Sequence, residues 1–281
     1  MLKLTEVEKR YDRFTLHCSM EVKPGYITGL IGKNGAGKST TFKAILNLIN
    51  MDKGTISLFD KNHSDLSLED KEQLGVVLSD SGFSEYLVIN DIAKIMKSLY
   101  QHFDEAKFAK LCKTFELPKN KKIKEFSSGM KAKLKVICAM SHHAKLLILD
   151  EPTAGLDVIA RDELLDMLRQ YMEEKEETSI LISSHISSDL EGLCDDIYMI
   201  DEGNIVLHEE IDTLLNEYGI LKLEEEQYRE LEKKYILKTL KENYGYRCLT
   251  NQKQYYLDNY PKLVIEKGSI DDVIMLMVRG D

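Results

Sequence analysis

Hydrophobic residues recur along this chain with two periods, and the switching between them predicts the architecture. Phe14, Leu16, Cys18, Met20 and Val22 fall at every second position, the mark of a half-buried strand. Tyr26–Ile31 reads as a buried strand, and a helix follows over 39–50 with Phe42, Ile45, Leu46 and Ile49 on one face. DKGTISLFD predicts a short strand entered through Gly54, and LGVVLSDSGF another that runs into a polar loop. From about residue 85 to 126 the period is helical, with Ile92, Ile95, Met96 and Leu99 on one face. Phe103, Phe108, Leu111 and Phe115 continue it, and Pro118 stops it. A helix then opens at Ser127 or Ser128, either a good N-cap. LLIL (146–149) is a continuous apolar strand and SILI (179–182) a further buried one, separated by a helix carrying Leu164, Leu165, Leu168, Tyr171 and Met172. IYMI and IVL flank the turn 201–204 as a hairpin. This alternation predicts an α/β fold with a mixed, mostly parallel sheet, an N-terminal antiparallel β-subdomain and a helical insertion at about 85–145. Ligands of such sheets sit at the strands' carboxyl ends.

After residue 208 the texture changes. The stretch 209–241 is rich in Glu and Lys and predicts an exposed helix. Tyr244, Tyr246, Tyr255, Tyr256 and Tyr260 then cluster, and SIDDVIMLM reads as a capped terminal helix. We therefore divide the chain into 1–208 and a small C-terminal α/β appendage, 209–281, which carries no catalytic signature. A chain cut after residue 208 is expected to fold by itself.

A net charge of −10 argues against broad nucleic-acid or anionic-membrane binding; Lys119, Lys121, Lys122 and Lys124 form a solvated loop. The longest apolar run is the six residues Val273–Val278, too short for a membrane helix, and the charged N-terminus lacks a signal-peptide core. Five scattered cysteines, with no C-x-x-C, suit a reducing compartment. His142 and His143 are adjacent, so their side chains point apart and make a poor metal pair.

The chemistry centres on residues 32–40, GKNGAGKST: Gly32, Lys33, Asn34, Gly35, Ala36, Gly37, Lys38, Ser39 and Thr40. The spacing matches G-x-x-x-x-G-K-[ST] between a strand and a helix, a P-loop that binds a nucleoside triphosphate. Glycines allow main-chain N–H groups to close around phosphate, and the helix N-terminus adds orphan donors. Lys38 neutralises the β- and γ-phosphates, and Ser39 is positioned for Mg²⁺. LLILDEPTAGLD delivers two carboxylates from a strand: Asp150 to hold Mg²⁺ and Glu151 to polarise the attacking water. FSSGM places Ser127 and Gly129 at a helix start, a second anion site. His185 ends its strand, where it can reach a γ-phosphate and align water with Glu151. Tyr11, between the first two strands, offers a flat face for adenine.

Together these stretches resemble the ATP-binding cassette (ABC) family of transporter ATPases across residues 1–208. GKNGAGKST is similar to its Walker A motif, FSSGM to its signature, LLILDEPT to Walker B, AGLD to the D-loop and SSH to the switch. The resemblance implies ATP and Mg²⁺ as cofactors, and two protomers closing head to tail around two ATP molecules. Ser127 and Gly129 would then bind the γ-phosphate on the opposite protomer, Asp157 would meet that protomer, and Tyr11 would stack on adenine. The second protomer is a copy of this chain or a sister subunit.

Three departures stand out. Ser128 replaces the first signature glycine, and Met130 a glutamine. After GVVL the family's metal-touching glutamine is missing, and Ser79 and Asp80 stand there. A serine is expected to be too short to reach the metal and Asp80 to be solvated. SIDDVIMLMVRGD resembles the C-terminus of bacterial antibiotic- and lantibiotic-type exporter ATPases. The implied function is the cytoplasmic ATPase subunit of an exporter, held at the inner face of the membrane by a separate integral permease, with no nucleic-acid partner. The alternative is a non-transport ABC ATPase acting as a scaffold or assembly factor. DNA-repair relatives are excluded because the stretch from Lys38 to Ser127 leaves no room for their long coiled coil.

Overall fold

The computed structural model describes residues 1–175 and 177–280; Asp281, the last residue of the terminal pattern, lies outside them. The strands in chain order are β1 (Leu2–Tyr11), β2 (Phe14–Val22), β3 (Ile27–Ile31), β4 (Lys53–Leu58), β5 (Lys61–Asn62), β6 (Leu74–Val77), β7 (Leu146–Asp150), β8 (Ser179–Ser184), β9 (Asp196–Asp201), β10 (Asn204–Glu210), β11 (Gly219–Leu223), β12 (Ile236–Glu242), β13 (Gly245–Thr250) and β14 (Val264–Glu266). The helices are α1 (Lys38–Ile45), α2 (Leu68–Glu72), α3 (Ile89–Leu99), α4 (Glu105–Thr114), α5 (Ser128–Met140), α6 (Val158–Glu174), α7 (Ser187–Glu191), α8 (Ile211–Asn216), α9 (Glu225–Glu230), α10 (Lys253–Asn259) and α11 (Ile270–Arg279).

Among the described residues, β1 to β10 form one mixed sheet in the order β5-β4-β1-β2-β10-β9-β3-β8-β7-β6. The block β9-β3-β8-β7-β6 is parallel, whereas β1, β2, β4 and β5 pair antiparallel at the other end. The residue pattern explains the split. Every residue of β3, β7 and β8 is buried, as central parallel strands covered on both faces require. In β2, Leu16, Cys18, Met20 and Val22 are buried while the residues between them are exposed, so only one face is covered. Two apolar layers result. One joins α3, α4, α5 and α6 to the sheet, and the other packs α1 beneath the antiparallel strands.

Some helical expectations need correction. The helix after β3 ends at Ile45, short of residue 50, because the chain turns through Asn47 at φ 54°. In α3, Ile92 and Met96 are buried, but Ile95 and Leu99 stay 37% and 64% exposed, so the apolar stripe is wider than the face it packs.

The stretch 209–241 is not one exposed helix. It supplies α8, β11, α9 and β12, and the second sheet, β12-β13-β11-β14, is antiparallel throughout. Composition misled because Glu and Lys are spread over short elements of both kinds, and the run Glu224–Glu226 marks only the start of α9. Leu221 and Leu223 face Cys248 and Tyr256 on one side of this sheet. Ile220 and Leu249 face the other way, into the layer that also holds Leu190, Leu193 and Ile197. The apolar core therefore crosses residue 208 without interruption. No helix among the described residues is long and apolar enough to cross a membrane.

Candidate functional site

The carboxyl ends of four neighbouring parallel strands, β3, β8, β7 and β6, bring the predicted chemistry together. Between β3 and α1 the loop is shaped by glycine in two different ways. A Cβ at Gly32 would lie 2.4 Å from the Ile200 carbonyl oxygen, so only hydrogen fits there. Gly37 caps α1 at φ 120°, a conformation that favours glycine. Ala36 is turned into the core, and its N–H bonds Lys33 O at 3.1 Å, so it shapes the loop from within.

Lys38 opens α1 and is 5% exposed. Its Nζ lies 2.5 Å from Gly32 O, 3.3 Å from Lys33 O and 3.0 Å from Glu151 Oε1. Glu151 sits at φ 49°, just beyond β7, and this turn aims its carboxylate back over the loop. Its other oxygen, Oε2, is 2.6 Å from His185 Nδ1. Lysine, glutamate and histidine thus form one chain of charge-assisted contacts.

Asp150 is 1% exposed and accepts three hydroxyls. Ser39 and Ser79 each donate to Oδ2 at 2.9 Å, and Ser183 donates to Oδ1 at 2.8 Å. Ser183 Oγ also accepts the Glu151 N–H at 2.9 Å, so one residue of β8 positions both carboxylates. This donor set is entirely oxygen, a buried carboxylate with hydroxyls, and fits a hard cation such as Mg²⁺ better than zinc.

Ser79 reaches the carboxylate of Asp150, and Asp80, as expected, is exposed to solvent. Asp80 turns away and pairs with Lys43 of α1 at 2.9 Å. The hydrogen bond and charge of Lys43 hold the Asp80 carboxyl below the usual carboxylate range, and Asp80 pushes the Lys43 ammonium up.

A cavity of about 410 Å³ follows this arrangement, lined by Asn34, Gly35, Gly37, Lys38, Ser39, Thr40, Ser79, Glu151 and His185, with Phe14 and Ala154. Tyr11 is 48% exposed at the end of β1, its ring 6.3 Å from that of Phe14, at the edge of the cavity instead of in its wall. Ser127, Gly129 and Asp157 do not line the cavity of their own chain. Ser127 caps α5 by accepting Met130 N–H at 3.2 Å, and Asp157 caps α6 by accepting Ala160 N–H at 2.9 Å. Gly129 lies where α5 meets α6, since a Cβ there would approach Ala160 Cβ to 2.9 Å.

Sequence reasoning missed Phe14, Ala154 and the positioning role of Ser183. Phe14 carried only the signal of strand alternation, and Ser183 that of an apolar strand's end. Their neighbours come from distant parts of the chain.

Known proteins share both sequence and fold with this chain. The family described as ABC transporter matches residues 16–154. The lantibiotic transport ATP-binding protein SrtF of Streptococcus pyogenes is 34% identical over 216 residues, covering 75% of this chain and 92% of its own. The ABC transporter ATP-binding protein YtrB of Bacillus subtilis is 30% identical over 220 residues, covering 78% of this chain and 75% of its own. A solved structure of the ATP binding subunit of an ABC transporter superposes with a TM-score of 0.67 at 27% identity, covering 76% of this chain and 91% of that one.

Proposed function

This chain belongs to the ABC transporter ATPase family, and from that membership we propose that it is the ATP-hydrolysing subunit of a bacterial exporter driven by closure of an ATPase dimer. That it is a transport ATPase follows from the family; the direction of transport rests on the terminal pattern. The observation that carries hydrolysis is the chain Lys38–Glu151–His185 over a phosphate-binding loop.

In this reading Glu151 takes the proton of the attacking water, His185 holds its carboxylate in line, and Lys38 neutralises charge on the γ-phosphate. The loop's N–H groups and the α1 N-terminus hold the phosphates, and Tyr11 with Phe14 borders the base. Mg²⁺, when bound, neutralises phosphate oxygens, and Ser39 and Asp150 would hold it.

Ser127, Gly129 and Asp157 act on the opposite protomer's nucleotide. Their position off the cavity supports this, as do Val158 and Ile159 beside Asp157, uncovered at 70% and 73% exposure. Residues 1–208 form the cassette. Leu99 lines a cavity of about 200 Å³ between the loop after β6, α3 and α5, and with Tyr86 and Ile95, exposed on the same insertion, it suits a permease contact. Through that permease the chain lies on the inner face of the cell membrane.

Glu151→Gln tests the reading. It is expected to keep ATP binding, to slow hydrolysis roughly 10²–10⁴-fold, and to accumulate a species of doubled mass in MgATP. Near-normal turnover would remove Glu151 from the role of base. Purification of the native complex separates the exporter from the scaffold alternative: a copurifying integral membrane protein is expected, and an ATPase recovered only with non-membrane partners would favour the scaffold.

A further inference from the structure

The ladder between β7 and β8 ends at the pair Asp150–Ser183, just short of both Glu151 and His185. Beyond it, the two chains are tied again through one buried carboxylate. Asp189 of α7 is 2% exposed. Its Oδ2 accepts Thr153 Oγ1 at 2.6 Å and Ser184 Oγ at 3.4 Å, and Arg161 Nε of α6 lies 3.5 Å from its Oδ1. Thr153 and Ser184 are themselves buried. Ser184 Oγ also accepts the Ile186 N–H at 3.0 Å, which closes the turn that carries His185.

The chain thus reaches Asp189 from both sides of the base–histidine pair. Thr153 continues the turn begun at Glu151, and Ser184 precedes His185. A carboxylate at this depth is costly unless its oxygens are paired, so the cluster favours one fixed separation of the two loops. The helix bearing Asp189 is short and is held from behind. Leu190 is fully buried in the core that Val273 and Leu276 of α11 share, and α11 packs on α7.

We propose that Asp189 is a positioning residue for ATP hydrolysis: by accepting Thr153 and Ser184 it sets the spacing of Glu151 and His185, with the C-terminal helix as its backing. This rests on the assignment of Glu151 as base. Asp189 touches neither nucleotide phosphate nor water in this scheme, and acts through the two loops.

Thr153→Val removes the hydroxyl and keeps the shape. In the full chain, kcat with MgATP is expected to fall at least about 10-fold, since misplacing a reacting group by about 1 Å costs on the order of 10²-fold. ATP affinity by fluorescent-nucleotide titration should stay near wild type, the thermal midpoint should fall by a few degrees because a buried carboxylate loses one partner, and Thr153→Ser should restore turnover. In a Glu151→Gln background, Thr153→Val should cost almost nothing further in single-turnover hydrolysis, because the group it positions is already gone. Wild-type kcat in folded Thr153→Val overturns the proposal, as does an undiminished further loss in the Glu151→Gln background. If Thr153→Val does not fold, Thr153→Ala carries the same test, and wild-type turnover there is equally fatal. Rapid hydrolysis by Glu151→Gln alone would instead sink the base assignment, so the two failures are distinguishable.

Discussion

Two regions of this protein gather hydroxyl groups around one acidic residue, and only one of them resembles a site. Asp150 collects Ser39 from α1, Ser79 from the loop after β6 and Ser183 from β8. Glu232 collects three tyrosines from the region of α10. Tyr255 donates to its carboxylate, Tyr256 donates to its carbonyl, and Tyr260 accepts its N–H. The hydrogen bond to Glu232 is the first cause that pushes the Tyr255 phenol up to about 12. Around Glu232 the donors come from one stretch of chain and saturate one residue, which fastens α10 to the loop before β12. Around Asp150 they come from separate elements at the carboxyl ends of parallel strands, next to a lysine, a glutamate and a histidine. Convergence from several elements upon a cavity is what distinguishes a candidate site from a fastening.

The strongest way to break that comparison is to remove one charge from each region. Lys38→Ala is expected to lose about 2–5 kcal/mol of nucleotide affinity, the usual cost of truncating one member of a buried charged contact. That is roughly 30- to 4000-fold by calorimetric titration with ATP. Glu232→Gln should leave ATP affinity and hydrolysis within about 2-fold while lowering the thermal midpoint. Equal ATP affinity in Lys38→Ala, or lost hydrolysis in folded Glu232→Gln, would erase the distinction.

The junction between the regions is the next test. The shared core weighs against the expectation that residues 1–208 fold alone. Ile211, Leu214, Ile220, Leu249, Ile270, Val273 and Leu276 all belong to the layer that covers α7. Each large apolar side chain contributes about 1.5–3 kcal/mol when buried. Deleting 209–281 is expected to give aggregation or a midpoint lower by on the order of 10 °C. An unchanged cooperative melt of the truncated chain would show that the appendage is merely attached.

The smallest effects are expected at residues 79 and 80. Ser79→Ala removes one of three hydroxyls from Asp150 and should slow hydrolysis only a few-fold, about 1 kcal/mol. Asp80→Asn breaks an exposed pair with Lys43 and should do less still, since such pairs contribute about 0–1 kcal/mol. Steady-state ATPase assays decide both. Abolished turnover in Asp80→Asn with intact ATP binding would make Asp80 a working part of the site.

What the sequence by itself determined is whatever depends on near neighbours along the chain. The phosphate loop was legible because Gly32, Gly37, Lys38 and Ser39 lie within one turn, and the strands leading to Asp150 and His185 because the apolar runs Leu146–Leu149 and Ile180–Ile182 precede them. What only the tertiary structure decided is whatever depends on partners far apart. Ser79, Ser183 and Ser39 meet on Asp150 because β6, β7, β8 and β3 lie side by side, an order that no local period encodes. Thr153 and Asp189 meet for the same reason. In the appendage, a run of Glu and Lys hid the short strands β11 and β12, since charge composition reports exposure and not backbone conformation. The continuity of the core across residue 208 was invisible for a related reason: Leu190 and Leu276 are joined by burial in water-excluded contact, and burial is a property of the folded chain alone.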